Sequence, residues 1–251
     1  MHFHLPKPMH GWREFVGEIA IIVIGVLIAL GAEQVVERIR WQEQATQARD
    51  AIEAELAGQE ADAYERLAVS PCLRSQITAL SKGLSEYHGK WVAMPVVVNS
   101  SGIKEAAIKS MPTAYRAPER LWLHDAWETA RASGALTHLP PDLVSRYSDA
   151  YNTGARILAL QESEEQAAAR LGALAFDGDI DNSSRVALIG SLVQVDRDNS
   201  YIENRAISEL ETLQEVLRGK NRDARIATLQ ARIAVQKKFR GSCVRQPLVQ
   251  F

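Results

Sequence analysis

Phe15 to Val36 reads FVGEIAIIVIGVLIALGAEQVV, and this stretch decides how the rest of the chain is read. Ile19 to Ala32 is free of charged residues, yet its 14 residues rise only about 21 Å as a helix, short of the roughly 30 Å of bilayer hydrocarbon. Extension to Phe15 and Val36 gives 22 residues and about 33 Å, which suffices. The cost is Glu18 near one end and Glu33 and Gln34 near the other, where head groups receive them. Trp12 and Trp41 flank the segment about 43 Å apart on a continuous helix, close to a full bilayer, and serve as interfacial anchors. The expectation is therefore an N-terminal transmembrane helix. A cleaved signal peptide, with Ala29-Leu30-Gly31 as its small-x-small site, and a buried soluble helix are the alternatives.

The division that follows is a leader at 1–14, an anchor at 15–36, a helical domain at 37–240 and an irregular tail at 241–251. The short leader is simplest left in the cytoplasm, which exports the domain. A bacterial inner-membrane protein with its bulk in the periplasm is the expected arrangement. Within the anchor, Glu18, Gly25, Ala29 and Ala32 share one face. Small residues there let another helix approach closely, and an ionisable group inside a span usually faces a partner. Self-association and a second membrane protein are both open.

Beyond the anchor, Ala, Leu, Glu, Arg and Gln dominate, all good helix formers. A net charge of −2 shows no basic excess of the kind nucleic-acid binding requires. Glu33 to Val69 reads as a helix on the stripe Ala45, Ala48, Ile52, Leu56, Ala63 and Leu67, stopped by Ser70-Pro71. A second helix is expected over 74–87. Residues 88–118 are irregular, with a brief strand at Val96–Val98 and a short helix at Ile103–Ser110. Further helices are expected over 119–135, with Trp122 and Trp127 buried, and over 140–176 on Leu143, Tyr147, Tyr151, Ile157 and Leu158. The last two run over 184–218, on Val186, Ile189, Val193, Ile202, Ile207, Leu210 and Leu213, and over 222–239. Long helices and short turns make an all-α antiparallel bundle.

His4-Leu5-Pro6-Lys7-Pro8, Trp12 to Glu18 and Gly25 to Leu30 resemble the opening of a group of bacterial single-pass membrane proteins of unknown function. These share a Gly-Glu, apolar, Gly-Val-Leu-Ile-Ala-Leu anchor, and the likeness is strongest over residues 4–40. Trp127-Glu128-Thr129-Ala130 with Ser133-Gly134-Ala135-Leu136 is similar to a later turn of the same group. The resemblance implies an anchored helical domain and no established activity.

The chemistry is thin. Cys72 and Cys243 are the only cysteines, and export would let them pair. Asp177, Asp179 and Asp181 open like a calcium loop, but Asn182 stands where glycine belongs and Leu188 where a bidentate Glu belongs. The plainer reading is a loop in which Asn182, Ser183 or Ser184 caps the next helix. His124 and Glu128 share a helix face, more readily as an exposed pair than as acid and base. His2, His4 and His10 read as part of the leader. The cluster Lys237-Lys238-Phe239-Arg240 complements a helix C-terminus. No catalytic residue, metal site or cofactor is expected. A membrane-anchored structural or interaction protein, an accessory subunit of a larger complex, is the leading expectation. A periplasmic ligand-sensing module and a periplasmic hydrolase are the alternatives.

Overall fold

The computed structural model describes residues 11–93 and 115–246. The expected strand at Val96–Val98, the helix at Ile103–Ser110, the leader histidines and the end of the tail lie outside them. The described chain is predominantly helical. Its five α-helices are α1 (Trp12–Ser85), α2 (Asp125–Ala132), α3 (Pro141–Arg170), α4 (Asn182–Val216) and α5 (Arg222–Arg240).

The 74-residue α1 is about 110 Å long; its N-terminal part is the apolar segment and the rest is the spine of the bundle. It corrects the expected stop at Ser70-Pro71, because the helix runs through Pro71 to Ser85. An interior proline costs about 3 kcal/mol by deleting one hydrogen bond and crowding the preceding turn. Ala68, Val69, Cys72 and Leu73, on both sides of it, are buried in the main core, and that burial outweighs the cost. In the turn before Pro71, the Ala68 carbonyl accepts the Arg245 amide of the C-terminal segment at 2.9 Å.

Helices α3, α4 and α5 form an antiparallel series against α1. Ion pairs and hydrogen bonds fix the directions: Tyr147 to Glu53 and Arg66 to Glu164 set α3 parallel to α1, while Ser163 to Asp198 and Arg170 to Gln194 set α4 antiparallel to α3. Arg225 to Glu60 and Gln236 to Glu65 set α5 parallel to α1 again. Two apolar cores result. The larger joins Ala63 to Leu84 of α1 with Leu188 to Leu210 of α4, Leu229 and Ile233 of α5, and Trp91 and Trp122. The smaller, nearer the anchor, joins Ile52 and Leu56 with Tyr147, Ala150, Tyr151, Leu213 and Val216.

Three expectations need correction. The helix over 119–135 is confined to α2, and residues 115–124 are irregular. Its cause is Trp122, whose φ of 47° no continuing helix tolerates. Val186, Val193 and Ile207 of α4 face outward, because Leu188, Leu192, Val195 and Ala206 carry the buried stripe. The helix over 140–176 ends as α-helix at Arg170 and tightens into a 3₁₀ turn, Leu171–Ala175. A small two-stranded ladder, β1 (Lys90–Trp91) with β2 (Gly178–Asp179), was not expected. Trp91 locks it down by donating its indole N–H to the Leu174 carbonyl at 2.9 Å.

Candidate functional site

The apolar N-terminal part of α1 is the first candidate surface. From Trp12 to Arg40 every side chain described is exposed, so this part of α1 packs against no other described element. One helix here is long and apolar enough to cross a membrane, and none of its apolar window is buried, which removes the soluble-core reading. Glu18, Gly25, Ala29 and Ala32 all lie on this bare helix, and a Cβ added at Gly25 would meet nothing. Trp12 is exposed beside Phe15. Trp41 stands where α1 enters the bundle and stacks on His138 with ring centroids 4.4 Å apart. That histidine ends the 3₁₀ turn Ala135–His138, which α2 reaches through a left-handed Gly134.

Farther along α1, at the main core, Cys72 and Cys243 form a disulfide with Cα atoms 5.2 Å apart. It ties the end of α5 to α1 beside the Arg245–Ala68 hydrogen bond, with Val244 buried next to it.

Between Trp41 and the disulfide α1 carries a row of buried polar groups that periodicity did not flag. Glu53, Gln59, Glu60, Asp62, Glu65 and Arg66 are all at most 8% exposed. Each finds a partner on another element or a turn away. Burial pushes the Glu53 carboxyl up, but hydrogen bonds from Arg49 and Lys220 outweigh it and hold it below the usual range. Glu60 takes Arg225, Asp62 takes Arg232, and Glu65 takes Arg120 and Gln236. Arg66 donates to Glu164 at 2.6 Å and to Asn199 at 3.0 Å. The Tyr115 hydroxyl donates to the same Glu164 at 2.7 Å, and burial with that carboxylate pushes the phenol up. A signal for this row does exist in the sequence: Arg225, Arg232, Gln236 and Arg240 recur at steps of seven and four, a polar stripe down one face of α5. Glu209 on α4 breaks the pattern. It is fully buried, neither oxygen has a hydrogen-bond partner among the described residues, and desolvation pushes its carboxyl up to about 8.

The second candidate surface is a cleft of about 310 Å³ between the end of the irregular segment, α2 and α3. Trp122, Trp127 and Tyr151 form its aromatic walls, with Glu128, Asn152 and Glu162 among the polar residues. Its geometry is set by hydrogen bonds. Gln59 donates to the Leu123 carbonyl at 2.6 Å and Gln161 to the Arg120 carbonyl at 2.8 Å, which clamps the backbone on both sides of Trp122. The Trp122 indole N–H returns to Gln161 at 3.2 Å. A Cβ at Gly154 would stand 3.4 Å from the Trp122 ring and 3.2 Å from Gln59, so glycine there lets α3 close against both. Glu55 accepts the Tyr151 hydroxyl at 2.6 Å and the Ala126 amide at 3.1 Å, joining α1, α2 and α3. Trp127 stacks on Tyr151 at 5.4 Å. Burial and the Glu55 carboxylate push the Tyr151 phenol up, so it stays protonated.

The remaining sequence candidates separate. His124 is the residue before α2, with no side-chain cap bond, and Glu128 pairs with Arg131 at 2.6 Å rather than with it. In the acidic loop it is Asp181 that caps α4, not Asn182, Ser183 or Ser184: its carboxylate accepts the Ser183 amide at 2.8 Å and the Ser184 amide at 3.0 Å. The Ser184 hydroxyl also donates to it, which with these amides holds Asp181 below the usual carboxylate range. Among the described residues no group of three or more His, Cys, Asp or Glu is placed to hold a metal ion. Comparison with protein-family models, with curated proteins and with solved structures finds no match.

Proposed function

We propose that this chain is a membrane-anchored interaction protein, an accessory subunit of a larger bacterial inner-membrane complex, with its N-terminus in the cytoplasm and the helical domain in the periplasm. The observation that carries the reading is the phase of α1. At 3.6 residues per turn, 18 residues are five whole turns. Gly25 therefore lies in line with Glu43, Ala29 with Gln47, and Ala32 with Asp50, while Glu18 lies ten turns below Ala54. Glu43, Gln47, Asp50 and Ala54 are all exposed. The core residues Ala45, Ile52 and Ala63 fall on the far side of the helix, roughly half a turn away. A partner helix seated on the small-residue face of the anchor thus continues along an exposed stripe of α1, flanked by α2 beside Gln47 and by the α4–α5 turn beside Asp50 and Ala54.

Charge favours a different protein over a second copy. In a symmetric parallel pair Glu18, Glu43 and Asp50 would each approach its own image, and like charges so placed repel. A partner with Lys, Arg or His along its facing stripe pairs with them instead. The disulfide supports an oxidising compartment for the domain.

The test is extraction of the full chain in mild detergent followed by native mass analysis, beside a Gly25→Leu/Ala29→Leu variant. The expected result is a heteromeric complex that the variant loses while its thermal unfolding is unchanged. A lone monomer, a homodimer, or a complex indifferent to the two leucines would overturn the reading.

A further inference from the structure

We infer that the cleft walled by Trp122, Trp127 and Tyr151 is a binding site for a small organic cation, a quaternary ammonium or methylated amine. Three observations converge on it. The walls are aromatic rings, whose quadrupoles attract a cation within about 6 Å of the ring centre. The charged residues that line the cleft are acidic: Glu128, which pairs with Arg131, and Glu162, which has no ion-pair partner among the described residues. The walls are also fixed in advance, so a ligand would not have to order them. The Trp122 backbone sits in a left-handed conformation that bulky residues avoid, held by Gln59 and Gln161. Strained backbone of this kind gathers at ligand clamps.

Glu55 sharpens the chemistry. By accepting the Tyr151 hydroxyl it leaves the phenol electron-rich, which strengthens attraction between the ring and a cation. Asn152 at the cleft supplies hydrogen-bonding groups without adding charge.

Position distinguishes the source of the cation. Glu55 and Gln59, which hold the cleft from the α1 side, lie 19 and 23 residues beyond Val36, so about 28 and 35 Å along the helix. The head-group layer extends only about 6 Å past the hydrocarbon. A lipid head group seated in the bilayer does not reach the cleft, and the ligand is a dissolved molecule.

The test titrates the full chain in a maltoside detergent, free of choline groups, with choline chloride, using tryptophan fluorescence. Sodium chloride serves as the ionic-strength control and 3,3-dimethylbutan-1-ol as the neutral shape analogue. Saturable quenching by choline is expected, with at least about tenfold weaker binding of the neutral analogue. Trp127→Leu should weaken choline binding by about tenfold. Glu162→Gln, at an exposed residue on which no fold contact depends, should weaken it by at least about threefold with the melting temperature unchanged. In phosphatidylcholine nanodiscs the affinity for free choline should match that in phosphatidylglycerol nanodiscs; competition by the choline lipid would overturn the dissolved-ligand assignment. Equal binding of the neutral analogue would reduce the site to an apolar pocket. No saturable change with choline, in protein whose melting is intact, would remove it.

Discussion

Arg225→Met is the sharpest test of the polar seam between α1 and α5. Arg225 is 5% exposed at its side chain and Glu60 is 2% exposed, and the two form a two-pronged pair, with Nε to Oε2 at 2.6 Å. The same guanidinium donates to the Leu217 carbonyl at 2.8 Å and to the Lys220 carbonyl at 3.2 Å, which closes the C-terminal end of α4. Methionine fills much of the volume but leaves Glu60 charged, buried and without its cation. Removing one partner of such a pair costs about 3–5 kcal/mol, whereas replacing both by apolar groups is often close to neutral. With a urea slope of about 2–3 kcal/mol per molar for a domain of this size, the midpoint should fall by roughly 1.5 M. The double variant Glu60→Leu/Arg225→Met should recover at least about 2 kcal/mol relative to the sum of the two single changes. The assay is urea unfolding of the full chain in mild detergent, followed by far-ultraviolet circular dichroism. A loss below about 1 kcal/mol for Arg225→Met, or strict additivity in the double variant, would refute the account of the seam as coupled buried charge.

Two further outcomes are expected. Cys72–Cys243 closes a loop with a sequence separation of 171 residues, for which loop entropy gives about 5 kcal/mol. Cys72→Ala/Cys243→Ala should therefore lower the melting temperature by about 10–20 °C in scanning calorimetry, and a fall under about 3 °C would contradict this. Glu209 sets a pH dependence: its folded-state carboxyl is raised to about 8, so the native state binds the extra proton between the ordinary carboxylate range and that value. Its contribution is thus favourable at acid pH and is lost as pH rises toward 8. Glu209→Gln should match the parent near pH 5 and exceed it by a few kcal/mol above pH 8, and a constant difference across that range in denaturation curves would count against the assignment.

The all-α bundle was legible because helix propensity and apolar spacing agree over long windows. What escaped has definite causes. Pro71 reads as a stop by local rules, and only the burial of Cys72, Leu73 and their neighbours lets the helix pass it. Val186, Val193 and Ile207 fit a helical stripe nearly as well as Leu188, Leu192 and Val195 do, and packing against α1 and α3 chooses between them. Glu60, Glu65 and Arg66 look like a solvated face until α3, α4 and α5 cover them. The aromatic cleft was hidden for a different reason: helical spacing placed Trp122 and Trp127 on one helix, whereas the left-handed Trp122 ends any such continuity and sets the two rings in separate walls. The disulfide was legible from composition and the expectation of export, since only one pairing of two cysteines exists.

With α1 spanning the bilayer as proposed, its unbroken course to Cys72 makes the domain the far arm of a lever whose fulcrum is the membrane. Cys72 lies 36 residues past Val36, about 54 Å along the axis. A long hydrophobic helix answers a thinner membrane by leaning, and a 10° change in lean sweeps the disulfide sideways by about 9 Å. In that arrangement the thickness of the surrounding lipid is converted into the lateral position of the disulfide, several nanometres from any lipid.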